Sequence, residues 1–215
     1  MNETIRNLIS RTAPAFWQYR ALFSSRFSYL NVNGWRESLR RGYPCRNDGS
    51  ELPWMNYSII SFLEERLRKD HVLFEYGSGF STIFYSRLVG AVYSVENDAN
   101  WYEKVKEEIP SNASVYFVEA DENGKYAGAI ENVENVDVVI VDGRDRVNCL
   151  ERSIPMLSES GVIVLDDSER AKYQRAFDVA KKAGFSNLNF EGIKPTGFEV
   201  HRSTLFYRHG NCLGL

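Results

Sequence analysis

From His71 onward the chain alternates short apolar runs with segments of helical period. The runs Val72–Tyr76, Ala91–Val95, Ser114–Val118, Val136–Val141 and Gly161–Leu165 carry the near-continuous hydrophobicity of strands buried on both faces. Helical patterns lie around Thr82–Leu88, Trp101–Glu108, Leu150–Leu157 and Arg170–Ala183. This alternation predicts a parallel sheet wound with helices. After the last helix the grammar changes. Ser186–Phe190 and Ser203–Arg208 are strand-like runs joined by a loop bearing Pro195 and Gly197, with no helix between them, and are expected to pair antiparallel. Such an ending differs from the dinucleotide-binding plan, whose crossovers stay helical throughout.

Upstream, residues 1 to about 40 read as helical, with Phe16, Trp17, Tyr19, Phe23, Phe27 and Tyr29 scattered among arginines instead of forming one stripe. The stretch RGYPCRNDGSELP makes a loop, and Trp54–Arg68 resumes a helical pattern through Ile59, Ile60, Leu63 and Leu67. The organisation expected is therefore a helical extension over 1–52 and one α/β domain over 53–215, within a chain of 215 residues.

Net charge is −3, too near neutral and of the wrong sign for bulk nucleic-acid binding, so no nucleic-acid partner is expected. The charge is unevenly placed. Residues 1–46 hold eight Arg against Glu3 and Glu37, a net +6 that leaves −9 elsewhere. The basic aromatic extension has three readings: a lid over an acceptor pocket, a homodimer contact, or a peripheral foothold on an anionic surface. Cys45, Cys149 and Cys212 have no metal-type spacing and read as free thiols of a reducing compartment. With no signal-like or membrane-spanning run, the chain is expected to be cytoplasmic.

The strongest local signal is Phe74-Glu75-Tyr76-Gly77-Ser78-Gly79-Phe80-Ser81-Thr82, a strand entering a glycine turn and then a helix that Ser81 or Thr82 can cap. A tight strand-to-helix connection would look the same. The second strand, however, ends in Glu96 about twenty residues on, where a wound sheet places an acid for a ribose diol. Thr82 stands where a pyrophosphate-binding turn needs its third glycine, and the Glu75 carboxylate would repel phosphate. Both features disfavour nicotinamide cofactors and suit S-adenosylmethionine, which carries an ammonium and a sulfonium and no phosphate.

The runs FEYGSGFST, VYSVENDANWY, VVIVDGRDR and VIVLDDS resemble the class I S-adenosylmethionine-dependent methyltransferases over roughly 72–208, and most of all bacterial small-molecule O-methyltransferases. The resemblance implies a three-layer Rossmann-like fold with a seven-stranded, mostly parallel sheet ending in an antiparallel hairpin. It implies that Glu75, Gly77 and Gly79 form the turn against the methionine and ribose, with Tyr76, Ser78 and Ser81 in the same wall. Glu96 would hold the ribose and Asn97 would lie beside the adenine. Asp121, or else Glu119, would meet the adenine amino group, and Ala120 would offer a backbone contact. Asp142 would stand where cofactor and acceptor meet.

Asp142, Asp166 and Asp167 end the fourth and fifth predicted strands and could converge at one mouth. Three carboxylates suit a hard cation such as Mg²⁺, which would activate an acceptor hydroxyl. In the similar cation-dependent O-methyltransferases the comparable positions are Asp, Asp and Asn, so Asp167 is a departure. The alternative is that Asp166 and Asp167 cap the following helix. Arg144 and Arg146 could clamp an anionic acceptor, or pair with Asp145 or Glu151. His201 is a candidate general base beside Asp142. Trp54 and Tyr57 belong to a lid or to the core.

The expectation is methyl transfer from S-adenosylmethionine to oxygen of a small hydroxylated acceptor. Its rivals are a catalytically silent binding module and another use of the pocket, in aminopropyl transfer or with NAD.

Overall fold

The structure, a computed structural model, describes residues 3–5, 13–119 and 124–215. Its strands are β1 (Val72–Tyr76), β2 (Ala91–Glu96), β3 (Ala113–Phe117), β4 (Val136–Val141), β5 (Leu157–Leu165), β6 (Ser186–Ile193) and β7 (Val200–Tyr207). They form one sheet in the order β3-β2-β1-β4-β5-β7-β6. β1 to β5 pair in parallel, and β7 runs antiparallel to both β5 and β6, as the helix-free final connection predicts.

The helices are α1 (Pro14–Tyr19), α2 (Tyr29–Val32), α3 (Trp35–Arg41), α4 (Tyr57–Arg66), α5 (Phe80–Ser86), α6 (Ala99–Glu108), α7 (Lys125–Gly128), α8 (Arg146–Ser153) and α9 (Gln174–Lys182). Strand residues alternate between the two faces of the sheet, and apolar side chains on both require cover on both. Leu73, Val138, Ile140, Val162, Val164 and Leu205 join one core with Ile59, Leu63, Phe84 and Tyr85 of α4 and α5. Phe74, Val139, Val141, Ile163, Leu165 and Phe206 join the other with Cys149, Leu150, Ala176 and Ala180 of α8 and α9. The result is the expected three layers. Asn56 caps α4 by accepting from the Ile59 amide at 3.2 Å, and its own amide donates to Phe190 O and Ser203 Oγ, so one residue starts the helix and ties it to the hairpin.

Three expectations are corrected. The helix placed over Leu150–Leu157 begins earlier, at Arg146, because Asp145 takes a left-handed conformation (φ 46°) that turns the chain at once into the helix. It ends at a 3-10 turn containing Pro155, and Leu157 already belongs to β5. β5 therefore starts before Gly161, where a Cβ would lie 2.8 Å from Leu157 Cβ and 2.9 Å from Val136 O. The stretch read as one helical appendage is also broken. α1 runs into a π turn at Arg20–Ser24, and Ser28 caps the separate α2. Trp35 and Leu52 are buried in the same core as α4, so the latter half of residues 1–52 is part of the domain's packing.

Parallel order reverses at β1, which lies between β2 and β4, and the crevice outside the strand ends at such a point is where ligands bind in wound sheets. Here the loops after β1 and β4 touch. A Cβ on Gly77 would sit 3.2 Å from Gly143 Cα, and one on Gly143 would sit 2.1 Å from Tyr126 Oη, a buried hydroxyl with no partner among the described residues. Gly143→Ala is expected to cost about 1–3 kcal/mol through overpacking. Tyr126→Phe in the same chain should recover part of that loss, read from urea unfolding of the single and double variants.

Candidate functional site

Below the Gly77-Ser78-Gly79 turn lies a buried carboxylate. The pleat sends Phe74 and Tyr76 toward α8 and α9, so Glu75 between them points to the α5 side. There Thr82 Oγ1 donates to Glu75 Oε2 at 2.7 Å, Ser94 Oγ donates at 2.9 Å, and Ser81 Oγ donates to Oε1. Burial pushes the Glu75 carboxyl up to about 7 against the pull of the three hydroxyls. Thr82 Oγ1 also accepts from the Gly79 amide at 3.0 Å, which closes the turn.

Glu96 ends β2 beside the same turn. Its Oε2 accepts from the Ser78 amide at 3.0 Å and from Ser78 Oγ at 3.2 Å, while Oε1 accepts from the amides of Asn97 and Asp98 at 2.8 and 2.9 Å. Trp101 is delivered to the site by α6, whose N-cap Asp98 accepts from the Trp101 amide at 2.9 Å. The indole donates from Nε1 to Ser78 O at 2.7 Å and lies over Gly79, where a Cβ would be 3.2 Å from Trp101 Cζ2. Phe80 meets Trp101 edge-on at 5.8 Å and stacks on Tyr43 at 4.9 Å, so the loop before α4 contributes to the wall.

These elements enclose a cleft of about 510 Å³, with Pro44, Trp54, Ser81, Asn97, Asp142, Gly143 and Arg144 in its walls beside Gly77–Phe80, Glu96, Trp101 and Arg146. A larger hollow of about 960 Å³ lies against Tyr93, Tyr116 and Phe117 and takes in no residue from the C-terminal ends of β1, β2 or β4. The expected site residues Gly77, Ser78, Gly79, Ser81, Glu96, Asn97 and Asp142 thus share the smaller cleft. Glu75 and Tyr76 do not face it; Tyr76 is fully buried, with Oη donating to Ala127 O at 2.6 Å. Ala120 and Asp121 lie outside the described residues. Trp54 lines the cleft, whereas Tyr57 is core. Trp101, Tyr43 and Pro44 were not foreseen; the aromatic at Trp101, three residues after a capping Asp beside the strand-end acid, was the available signal.

At the ends of β4 and β5 the three acids do converge. Asp142, Asp166 and Asp167 each bring an oxygen within 4.8 Å of the others. Adjacent residues of a strand point to opposite faces. The left-handed turn at Asp167 (φ 52°) breaks that alternation and lets both neighbours share one partner, Lys194, whose Nζ lies 2.6 Å from Asp166 Oδ2 and 2.7 Å from Asp167 Oδ1. Arg146, in the first turn of α8 and also buried, donates to the carbonyls of Asp142, Gly143 and Asp166 and pairs with the Asp142 carboxylate at 2.9 Å and the Asp167 carboxylate at 3.4 Å. Arg170 adds a pair to Asp167 at 2.7 Å, and Ser203 Oγ donates to Asp166 Oδ1 at 2.7 Å.

Burial and the adjacent Asp166 push the Asp142 carboxyl well above the usual range, despite Arg146 and Lys194. Burial acts in the same sense on Asp167, but Lys194, Arg146 and Arg170 outweigh it and hold that carboxyl low.

The Mg²⁺ expected at Asp142, Asp166 and Asp167 does not fit these neighbours. The Lys194 ammonium bridges two of the three would-be ligands and Arg146 takes the third, so the anionic charge is already matched. Helix capping is not the role either, since no side-chain cap is made at the start of the helical turns that follow. Arg146 pairs with neither Asp145 nor Glu151, which engage Asn148 and Arg175. His201 Nδ1 is 3.4 Å from Asp167 and 3.5 Å from Glu169, outside the walls of the cleft.

No family model and no curated protein matches the chain. Solved structures do. A precorrin-6y C5,15-methyltransferase from Geobacter metallireducens matches with TM-score 0.57 at 14% identity, over 78% of this chain and 96% of that one. A candidate O-methyltransferase from Klebsiella pneumoniae matches with TM-score 0.52 at 14% identity, over 91% of this chain and 96% of that one. A candidate methyltransferase from Streptococcus mutans in complex with SAH matches with TM-score 0.50 at 14% identity, over 69% and 94%. The fold is that of the class I S-adenosylmethionine-dependent methyltransferases.

The buried Glu75 has a measurable signature. Its folded-state value of about 7 lies above the ordinary 4.5, so its contribution to stability is fully present below pH 4.5 and lost as pH rises through 7. At about 1.4 kcal/mol per pH unit the loss is on the order of 3 kcal/mol. Glu75→Gln should flatten the pH dependence of urea unfolding across that window, by comparison with the wild-type chain.

Proposed function

We propose that the chain transfers a methyl group from S-adenosylmethionine to oxygen of a small hydroxylated acceptor. The observation that carries this reading is the state of the glycine turn. The amides of Ser78 and Gly79, which a dinucleotide site would offer to pyrophosphate, are already bonded to Glu96 and Thr82, and two carboxylates flank them. Such a turn repels phosphate and favours a cationic ligand. Glu96 would hold the ribose hydroxyls, with Ser78 Oγ, the longest of its four bonds, turning aside. Trp101 and Asn97 would flank the base.

S-adenosylmethionine supplies an electrophilic methyl on its sulfonium. Asp142 stands at the cleft wall, where its carboxylate is placed to take the proton of the acceptor hydroxyl as the oxygen attacks. A cleft of about 510 Å³ leaves limited room beyond a nucleoside-sized cofactor, which favours a small acceptor. The structural likeness to a candidate O-methyltransferase over nearly the whole chain supports the same reading.

Titration calorimetry tests it without knowledge of the acceptor. Micromolar binding of S-adenosylmethionine and its demethylated product is expected, with none of NAD. Binding of NAD, or of none of the three by folded protein, would overturn the assignment. Glu96→Ala should weaken cofactor binding by roughly tenfold or more, since charge-assisted hydrogen bonds contribute about 1.5–3 kcal/mol each. Asp142→Asn should lower turnover by about 10²–10⁴-fold while changing cofactor affinity little. Release of an aminopropyl product in place of the demethylated cofactor would sink methyl transfer while leaving the cofactor site standing.

A further inference from the structure

We infer that Lys194 is the resident cation of the strand-end carboxylates, a built-in ammonium standing where a divalent ion would otherwise be held. Its place is constructed by the fold. Lys194 follows β6 directly, and the β6–β7 register runs unbroken to Ile193 opposite Val200. The turn that follows is closed by the Gly197 amide donating to Lys194 O at 3.0 Å. Trp35 of α3 pins that turn from outside, with Nε1 donating to Gly197 O at 2.8 Å and its ring edge-on to Phe198 at 5.0 Å. The lysine side chain is largely covered, at 12% exposure, and the ammonium reaches Asp166 and Asp167 at 2.6 and 2.7 Å.

Three carboxylates whose oxygens lie within 4.8 Å of one another would repel without a shared cation. Arg146 and Arg170 reach Asp142 and Asp167, whereas Asp166, fully buried, has Arg146 only at 4.0 Å and Lys194 at 2.6 Å. The site therefore excludes a divalent ion by occupying its ligands. For the methyl transfer proposed above, on which this last step rests, the consequence is independence from divalent cations.

The test reads metal binding, not turnover. Mn²⁺ is titrated by electron paramagnetic resonance into the full-length wild-type chain, Asp142→Asn, Lys194→Ala, Lys194→Met and Lys194→Ala with Asp142→Asn. Wild type should show no Mn²⁺ binding that depends on Asp142. Both single variants should bind Mn²⁺ at least tenfold more tightly than wild type, and adding Asp142→Asn should remove that gain. The double variant also separates this site from Asp167, Glu169 and His201, which lie close together without Asp142. Wild-type binding abolished by Asp142→Asn would overturn the inference even if the Lys194 variants do not fold, and so would folded Lys194 variants that bind no metal. Failure of cofactor binding in calorimetry would fell the methyl-transfer reading alone and leave the Mn²⁺ result intact.

Discussion

A single buried guanidinium holds the ends of β4 and β5 together. Arg146 donates to three carbonyls in the turns that follow those strands and pairs with Asp142 and Asp167. Strand-end carbonyls and clustered carboxylates are costly to bury, and here one five-donor fork satisfies a share of both. Lysine could not replace it, because a point charge lacks the planar spread needed to reach two loops at once. The wall that carries Asp142 depends on this arrangement, as does the approach of Gly143 to Gly77 that closes the floor of the cleft.

On the other side of the floor the logic is different. Among the described residues no cation pairs with Glu75; hydroxyls of Ser81, Thr82 and Ser94 hold it from α5 and β2. Burial raises its proton affinity, and the three hydroxyls offset only part of that rise. One side of the cleft thus carries Asp142, an acid paired with Arg146, and the other rests on Glu75, an acid held by hydroxyl dipoles. A cationic ligand is favoured over the second side. That asymmetry is the physical basis on which the proposed reading sets a sulfonium cofactor along the β1 turn and an acceptor on the Asp142 side.

Elements defined by burial on both faces were legible from residue order. β1 and β4 read as apolar runs, each interrupted by one acid, and keep their expected limits, and the final hairpin followed from the missing helix before β7. Boundaries set by backbone conformation were not. The start of α8 depends on Asp145 taking a left-handed conformation with no capping side chain, a choice composition does not reveal. Glu75 illustrates the same limit within the site. Its position at the end of β1 suggested a ligand contact, yet the pleat that sends Tyr76 to one core sends Glu75 beneath the turn. Glu96, with strand-end placement and a turn facing it, lies in the cleft as expected. The convergence of Asp142, Asp166 and Asp167 was legible from sheet order; their partner was not, because Lys194 is brought there by hairpin register alone.

The basic aromatic segment gains meaning from that register. Read along the chain it is detachable, but Trp35 is buried in the main core and its indole holds the turn that presents Lys194. Chain entropy makes a hairpin tip the part of a sheet most apt to fray, and a lysine placed there would ordinarily wander. Burying an indole against the tip restricts it, and the ammonium then meets carboxylates already fixed by Arg146. The extension thus acts on the site through packing at a distance from the cleft. Loosening α3 would be felt first at Asp166, whose carboxylate lies 2.6 Å from the Lys194 ammonium and 4.0 Å from Arg146.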